Sequence, residues 1–158
     1  TPSFTNFAQK RAVSQKTLQV RGALELARGL AVSQHQIWTV CTVNAANACV
    51  KDDGLRLLVF FDDNLDNSFS AGESLQQEVD INSVQMALAA SFGVNYIRFS
   101  GTGEAMEMGN FEICSSNQNF DYGRRVIIFR SGRVRLSSDS DSDGYDDDGG
   151  VKIECHSG

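Results

Sequence analysis

Residues 2–36 contain one proline, Pro2, and are dominated by Ala, Leu, Gln, Lys and Arg, all good helix formers. Pro2 suits a first helical turn, where its missing N–H would have no partner. The stretch predicts one long helix, and so long a helix dictates how the rest of the chain must cover it. Val13, Val20, Ala23, Leu24, Ala27, Leu30 and Ala31 recur at helical spacing. At about 100° per residue they share one face. Phe4, Phe7 and Leu18 fall on nearly the opposite face. A helix covered by one small domain needs a single apolar stripe. The second stripe predicts a further surface, either a partner chain or a membrane edge. The alternative is that a fraying helix end tolerates stray phenylalanines.

The chain has 158 residues, enough for one ordinary domain with a real core. Its hydrophobic and charged fractions, 41% and 22%, are those of a globular protein. The net charge is −6, with the acidic excess near the C-terminus. That balance argues against a general polyanion binder but leaves room for a local basic patch. No run of 18 apolar residues and no signal peptide is present. The start at Thr1, without methionine, gives the expectation that an upstream segment has been removed.

The four cysteines are Cys41, Cys49, Cys114 and Cys155. No CxxC spacing or histidine set accompanies them, which argues against zinc. His35 and His156 are isolated and read as surface or helix-end residues. An even cysteine count suggests an exported, disulfide-bonded chain. Of the three pairings that four cysteines allow, Cys41–Cys49 with Cys114–Cys155 is favoured. The first closes a small Ala/Asn loop and the second ties the tail to a strand. Free buried thiols are the alternative.

Beyond the helix the pattern turns to strands. Residues 37–43 are β-rich, and residues 55–61 are nearly all apolar, as in a central strand covered on both faces. An acidic loop spans 62–73. Residues 79–90 are ambiguous, because Ile81, Val84 and Leu88 fit a helical step while a strand also fits. Strands are expected at 96–100, 111–114 and 125–130. Ser131-Gly132 signals a turn, with 133–136 returning as a hairpin. Residues 137–150 are polar and acidic, and 151–155 would form a final edge strand. The expected class is α+β: residues 1–36 form the helical part and 37–158 a disulfide-bonded β-rich part of one domain.

In this order, the long helix, Trp38-Thr-Val-Cys41, the strand running into the Asp-rich loop that ends Gly72-Glu73, Phe111-Glu-Ile-Cys114, and the hairpin from Arg125 to Arg135 resemble the FimT/FimU–GspH family. These are minor pilins of type IV pili and pseudopilins of type II secretion systems. The resemblance covers essentially the whole chain. It implies a helix packed on antiparallel β-sheet. It also implies an upstream apolar half-helix following a prepilin-peptidase site, with a methylated N-terminus and an inner-membrane anchor. It gives Phe4, Phe7 and Leu18 a role in filament packing, since helices of neighbouring subunits bundle in a pilus.

Three constellations carry candidate chemistry. In the tail, Asp139, Asp141 and Asp143 alternate ahead of Gly144, an order that wraps hard cations with oxygen ligands. Asp139, Asp141, Asp143 and Asp147 are the candidate calcium ligands, with Asp148 as a substitute for Asp147. The twelfth position is Gly150 rather than an acid. The alternative is a solvated acidic loop. Asp62, Asn64, Asp66, Ser68, Ser70 and Glu73 also occupy an EF-hand register, with Asn67 where glycine normally stands. The resemblance makes that segment a strand-connecting turn.

The third constellation is Arg124, Arg125, Arg130, Arg133 and Arg135. Gly132-Arg133-Val134-Arg135 is similar to the GRxR pattern of DNA-binding FimT proteins, which makes Arg130, Arg133 and Arg135 candidate phosphate contacts. The aspartates that follow would oppose them, and pairing of these arginines with acids is the alternative. No nucleophile–base pair, phosphate loop or carboxylate dyad points to an enzyme. The expected function is a structural minor pilin at or near the tip of a type IV pilus, helping to initiate assembly for twitching motility, adhesion or DNA uptake. Its partners would be other minor pilins and the major pilin. Its domain would be periplasmic before assembly and extracellular after it. A DNA-binding competence pilin and a type II secretion pseudopilin are the alternatives.

Overall fold

The computed structural model describes residues 2–117, 120, 122–148, 151–153 and 155. Helix α1 runs Pro2–Gln34. Val13, Val20, Ala23, Leu24, Ala27 and Ala31 are wholly buried along it, so the stripe at helical spacing is the face that meets the core. Thr17 is buried in the same stripe, and its hydroxyl donates to the Val13 carbonyl at 2.7 Å. That bond satisfies a polar group which would otherwise be costly to bury. The helix stops two residues before the expected end. His35 takes φ +54° there, and the Gln36 N–H reaches back to the Ala31 carbonyl at 3.2 Å, a left-handed C-terminal cap.

The first sheet contains β1 (Trp38–Val43), β2 (Cys49–Val50), β3 (Arg56–Phe61) and β4 (Ser74–Asp80), in the order β2-β1-β3-β4. The second sheet opens with β5 (Val84–Ala90). The short strand β6 (Ile97–Phe99) returns to the first sheet and pairs with β1. Strands β7 (Gly109–Ser115), β8 (Gly123–Ile128) and β9 (Val134–Leu136) complete the second sheet in the order β5-β7-β8-β9. All of these pairings are antiparallel.

The buried face of α1 lies across both sheets. It shares one core with Trp38, Val40, Leu57, Val59, Ile97 and Phe99 from the first sheet and Phe111, Ile113, Val126 and Ile128 from the second. Alternate residues of β1 and β3 point the other way. Cys41, Val43, Leu58 and Phe60 form a second cluster with Cys49, packed by Phe69 and Tyr96. A strand sends successive side chains to opposite faces, so the unbroken apolar run of β3 follows from burial on both sides. Among the described residues, the Trp38 indole N–H is buried with no hydrogen-bond partner.

The ambiguous stretch 79–90 resolves into two strands of different sheets. Strand β4 ends at Asp80, the chain turns at 81–83, and β5 begins at Val84. In β5, Val84, Met86 and Leu88 are buried while Gln85 and Ala89 are exposed, a period of two. The helical step from Ile81 to Leu88 is a coincidence of counting across that turn. The chain end also differs from the expected edge strand. Strand β11 (Val151–Lys152) pairs with β10 (Asp147–Asp148) as a separate two-stranded unit. Disulfides join Cys41 to Cys49 and Cys114 to Cys155.

Candidate functional site

On the helix, Phe4 and Phe7 are 72% and 64% exposed, and Leu18 is half-exposed. They lie away from the buried stripe; Leu18 borders the turn at Asn82 and Ser83, and the two phenylalanines stand mostly in water. Large apolar side chains left in water along one side of a long helix form a ready contact face. No helix among the described residues is long and apolar enough to cross a membrane.

The arginine cluster splits in two. Arg124 donates to Asp146 at 2.7 Å and Arg125 to Glu112 at 2.9–3.0 Å, so both are half-buried partners of acids. Arg130, Arg133 and Arg135 stay exposed at the β8–β9 hairpin. The hairpin closes through Gly132 N–H to the Phe129 carbonyl and Phe129 N–H to the Arg133 carbonyl, both 2.9 Å. Arg133 and Arg135 lie over the Phe129 ring at 5.2 and 6.0 Å from its centre, where the ring quadrupole favours a cation. Gly132 has φ +90° and is buried against Gly103. Arg28 donates to the Gly103 carbonyl at 2.8 Å, fixing to the helix the loop on which Gly132 packs.

Among the described residues, Asp146 of the acidic tail pairs with Arg124. Its loop docks at the other end of the helix. Lys10 lies 5.3 and 5.4 Å from the ring centres of Tyr122 and Tyr145, and Lys152 lies 4.1 Å from that of Tyr145. Asp139, Asp141 and Asp147 bring carboxylate oxygens within 4.8 Å of one another, and Asp143 stands outside that group. The loop's own donors explain these positions. Asp139 accepts from the N–H groups of Asp143 and Gly144 at 3.2 and 2.9 Å, Asp141 from that of Asp143, and Asp147 from the N–H and hydroxyl of Ser140. Desolvation works to raise the Asp139 carboxyl, but its bonds from Gly144, Asp141 and Asp143 hold it below the usual range. Asp141 is raised by desolvation, by its hydrogen bond with Asp139 and by repulsion from Asp143 and Asp147. Gly150 and His156 lie outside the described residues.

Loop 62–73 joins β3 to β4. Asp62, Asp66 and Glu73 converge within 4.8 Å, and Asn67 takes φ +58° where an EF-hand has glycine. Asp62 is 5% exposed and accepts from the Asn67 N–H at 2.8 Å. Burial, with the neighbouring Glu73, raises its carboxyl above the usual range. A third convergence, of Glu112, Cys114 and Cys155, has no thiolate to offer because the two cysteines are joined.

Sequence reasoning passed over two features. Arg98 binds Glu107 through contacts down to 2.6 Å, and Glu107 is 3% exposed. Nothing in the local pattern pairs residues nine apart across a loop. Phe92 is 83% exposed with φ +63°. The Ser-Phe-Gly context signals a turn but not a phenylalanine at its tip.

The chain matches the family model described as type II transport protein GspH over residues 16–132, well over half its length. It belongs to the GspH family. GspH-family chains are structural and not enzymatic, so this chain is a minor pilin or pseudopilin of a type IV pilus or a type II secretion system. Its fold is similar to two crystal forms of the type IV minor pilin FimU of Pseudomonas aeruginosa. One is 19% identical, with 78% of this chain and 90% of that chain covered and a TM-score of 0.55. The other is 18% identical, with 82% and 91% covered and a TM-score of 0.56. The minor pseudopilin EpsH of the Vibrio cholerae type 2 secretion system is 16% identical, with 78% and 94% covered and a TM-score of 0.56. At these identities the likeness is one of fold. No curated protein matches the chain.

Proposed function

We propose that this GspH-family chain is a structural minor pilin of a type IV pilus, incorporated at or near the tip and helping to initiate assembly. The observation that carries the reading is the exposed face of α1, with Phe4, Phe7 and Leu18 in water. A packed domain gains nothing from leaving these side chains exposed, whereas a helix bundle of neighbouring pilins would bury them. At about 0.025 kcal/mol per Å² of apolar surface removed from water, each phenylalanine would contribute substantially to such packing. The proposal includes an inner-membrane anchor upstream, a periplasmic domain before assembly and an extracellular pilus afterwards. The partners are other minor pilins and the major pilin.

The test is piliation in the native host. Phe4→Ala plus Phe7→Ala should abolish or reduce surface pili while the subunit still accumulates. Normal piliation with the double variant, or a defect confined to protein secretion, would reject the pilus reading. The secretion defect would favour a type II secretion pseudopilin.

DNA binding is a second reading, favoured by the exposed pair Arg133 and Arg135. Two or three arginines hold only a few phosphates, so binding would be salt-sensitive, with a log–log slope of about −0.9 per duplex phosphate contact. A mobility shift at low salt, lost in Arg133→Gln plus Arg135→Gln, would promote it over the structural role.

A further inference from the structure

We propose that Arg11 selects what packs on the exposed face of α1: the helix of a neighbouring pilin subunit that sets a carboxylate among apolar residues at the level of Arg11. Phe4, Arg11 and Leu18 follow one another at seven-residue steps, so they stand almost in line along the helix. Phe7 precedes Arg11 by four residues and lies on the same side. All four side chains are exposed. Two more seven-residue steps reach Glu25 and Val32, and Val32 is 44% exposed. The line is thus an apolar seam interrupted by two charges. Glu25 is answered within the chain: Arg21 lies 3.9 Å away, and Arg28 and Arg133 line the same groove.

Arg11 is not answered. No acid precedes Glu25 in the sequence, so none stands three or four residues from Arg11, where a helix could pair it. Among the described residues, no ion pair reaches its guanidinium. The acidic loop meets the helix one residue earlier, at Lys10, whose ammonium lies by the Tyr122 and Tyr145 rings and near Gly144. Successive helical residues point about 100° apart, so that contact leaves Arg11 on the open side.

A helix laid along Phe4, Phe7 and Leu18 takes that guanidinium out of water. An unpaired buried cation is costly, whereas a carboxylate facing it makes a charge-assisted, two-pronged bond. One charged position in an apolar seam therefore disfavours every partner except the one that answers it, and it fixes that partner's axial register. Gly22 and Gly29 share this side of the helix, and a Cβ on either would meet nothing within 4 Å. Glycine in a helix interior is less stable than alanine, and nothing in this chain needs the space. A second helix approaching closely would use it. A membrane surface fits less well. The chain carries a net charge of −6 and Glu25 lies on the same line, both of which an anionic bilayer repels.

A neighbouring helix exists only on the pilin reading, so this inference rests on that reading, and two experiments separate them. The first uses the purified chain and three synthetic helical peptides. Each has a leucine and alanine seam, with glutamate, glutamine or lysine at its centre. By fluorescence anisotropy the glutamate peptide should bind about tenfold more tightly than the glutamine peptide. Arg11→Gln should abolish that difference, and Arg11→Glu should transfer the preference to the lysine peptide. Phe7→Ala should weaken all three peptides alike. The melting temperatures of the Arg11 variants should match that of the parent, since the residue is exposed. Binding of no peptide, equal binding of the glutamate and glutamine peptides, or a preference that survives Arg11→Gln would overturn the proposal. So would tighter binding to phosphatidylglycerol vesicles, lost in Arg11→Gln, which would give Arg11 to a lipid headgroup. The second experiment is piliation in the host. Arg11→Glu should cause loss of surface pili and Arg11→Lys should retain them. Normal piliation with Arg11→Glu, beside a loss with Phe4→Ala plus Phe7→Ala, would leave the pilus reading standing and remove this one.

Discussion

Gly132 is pressed so closely onto Gly103 that a Cβ at position 132 would lie 1.9 Å from the Gly103 carbonyl oxygen and 2.8 Å from Arg28 Nε. The same residue has φ +90°. The glycine of the Gly132-Arg133-Val134-Arg135 motif is therefore demanded by packing of the hairpin on the Gly103 loop and the Arg28 side chain. Gly132→Ala should destabilise the fold by about 2–5 kcal/mol, combining overpacking with left-handed strain. Arg133→Gln should shift stability by less than about 0.5 kcal/mol, as an exposed substitution does. Urea melts of both variants check the contrast. Equal effects would mean that the hairpin yields at Gly103.

The two faces of α1 predict opposite mutational behaviour. Leu24 is wholly buried, and Leu24→Ala should cost about 2–5 kcal/mol. Phe7 is exposed, and Phe7→Ala should leave the melting temperature of the purified chain nearly unchanged. Similar losses from both changes would refute the division of the helix into a core face and an assembly face.

How much of this was legible in the sequence depends on how local the cause was. The buried stripe of α1 was readable because helical period and burial coincide over many turns. Strand β3 was readable because an unbroken apolar run leaves few places other than the middle of a covered sheet. The segment 79–90 was not readable, because a three-residue turn moves the chain between sheets and resets the period. The division of the five arginines was also illegible. Arg124 and Arg125 find Asp146 and Glu112 across strands or loops, and nothing within a short window announces those partners. The hairpin turn was visible from Ser131-Gly132, but the pressure of Gly103 on Gly132 comes from a loop far back in the chain.

The disulfides should differ in weight. Cys114–Cys155 spans 41 residues and Cys41–Cys49 spans 8. In the chain-entropy account, loops of these lengths contribute about 4 and 2.5 kcal/mol. A Cβ on Gly123 would lie 2.2 Å from the Cys155 sulfur, so the longer bridge also packs directly on β8. Cys114→Ser plus Cys155→Ser should therefore lower the urea midpoint more than Cys41→Ser plus Cys49→Ser. The reverse order would show that burial of Cys41 in the second cluster outweighs loop closure.

Asp62 gives a pH dependence of definite sign. Burial, with Glu73 beside it, raises its carboxyl in the folded state. The folded chain then holds that proton more firmly than the unfolded chain. The penalty for the ionised form is present above the folded pKa and is relieved as pH falls through it. Asp139 behaves oppositely. Its lowered pKa contributes stability above the ordinary aspartate range, and this is lost as pH falls through the folded value. Carbon-detected NMR titration should show Asp62 protonating at a higher pH than Asp139. The opposite order would remove the assigned environments.

The acidic loop yields the last prediction. Asp139, Asp141 and Asp147 converge, yet each already accepts hydrogen bonds from the loop's own N–H or hydroxyl groups. The loop is also held from outside by Lys10 and Lys152 on the tyrosine rings and by Asp146 on Arg124. Its position thus has protein causes that do not depend on a cation. A ligand that binds only the folded state raises stability in proportion to RT ln(1 + [L]/Kd), about 2.7 kcal/mol at a hundredfold excess over Kd. EDTA should accordingly leave the melting temperature unchanged, and Lys10→Met should lower it by loosening the loop. A fall in EDTA that calcium restores, absent in Asp139→Asn plus Asp141→Asn, would reverse this expectation and make the three carboxylates a cation site.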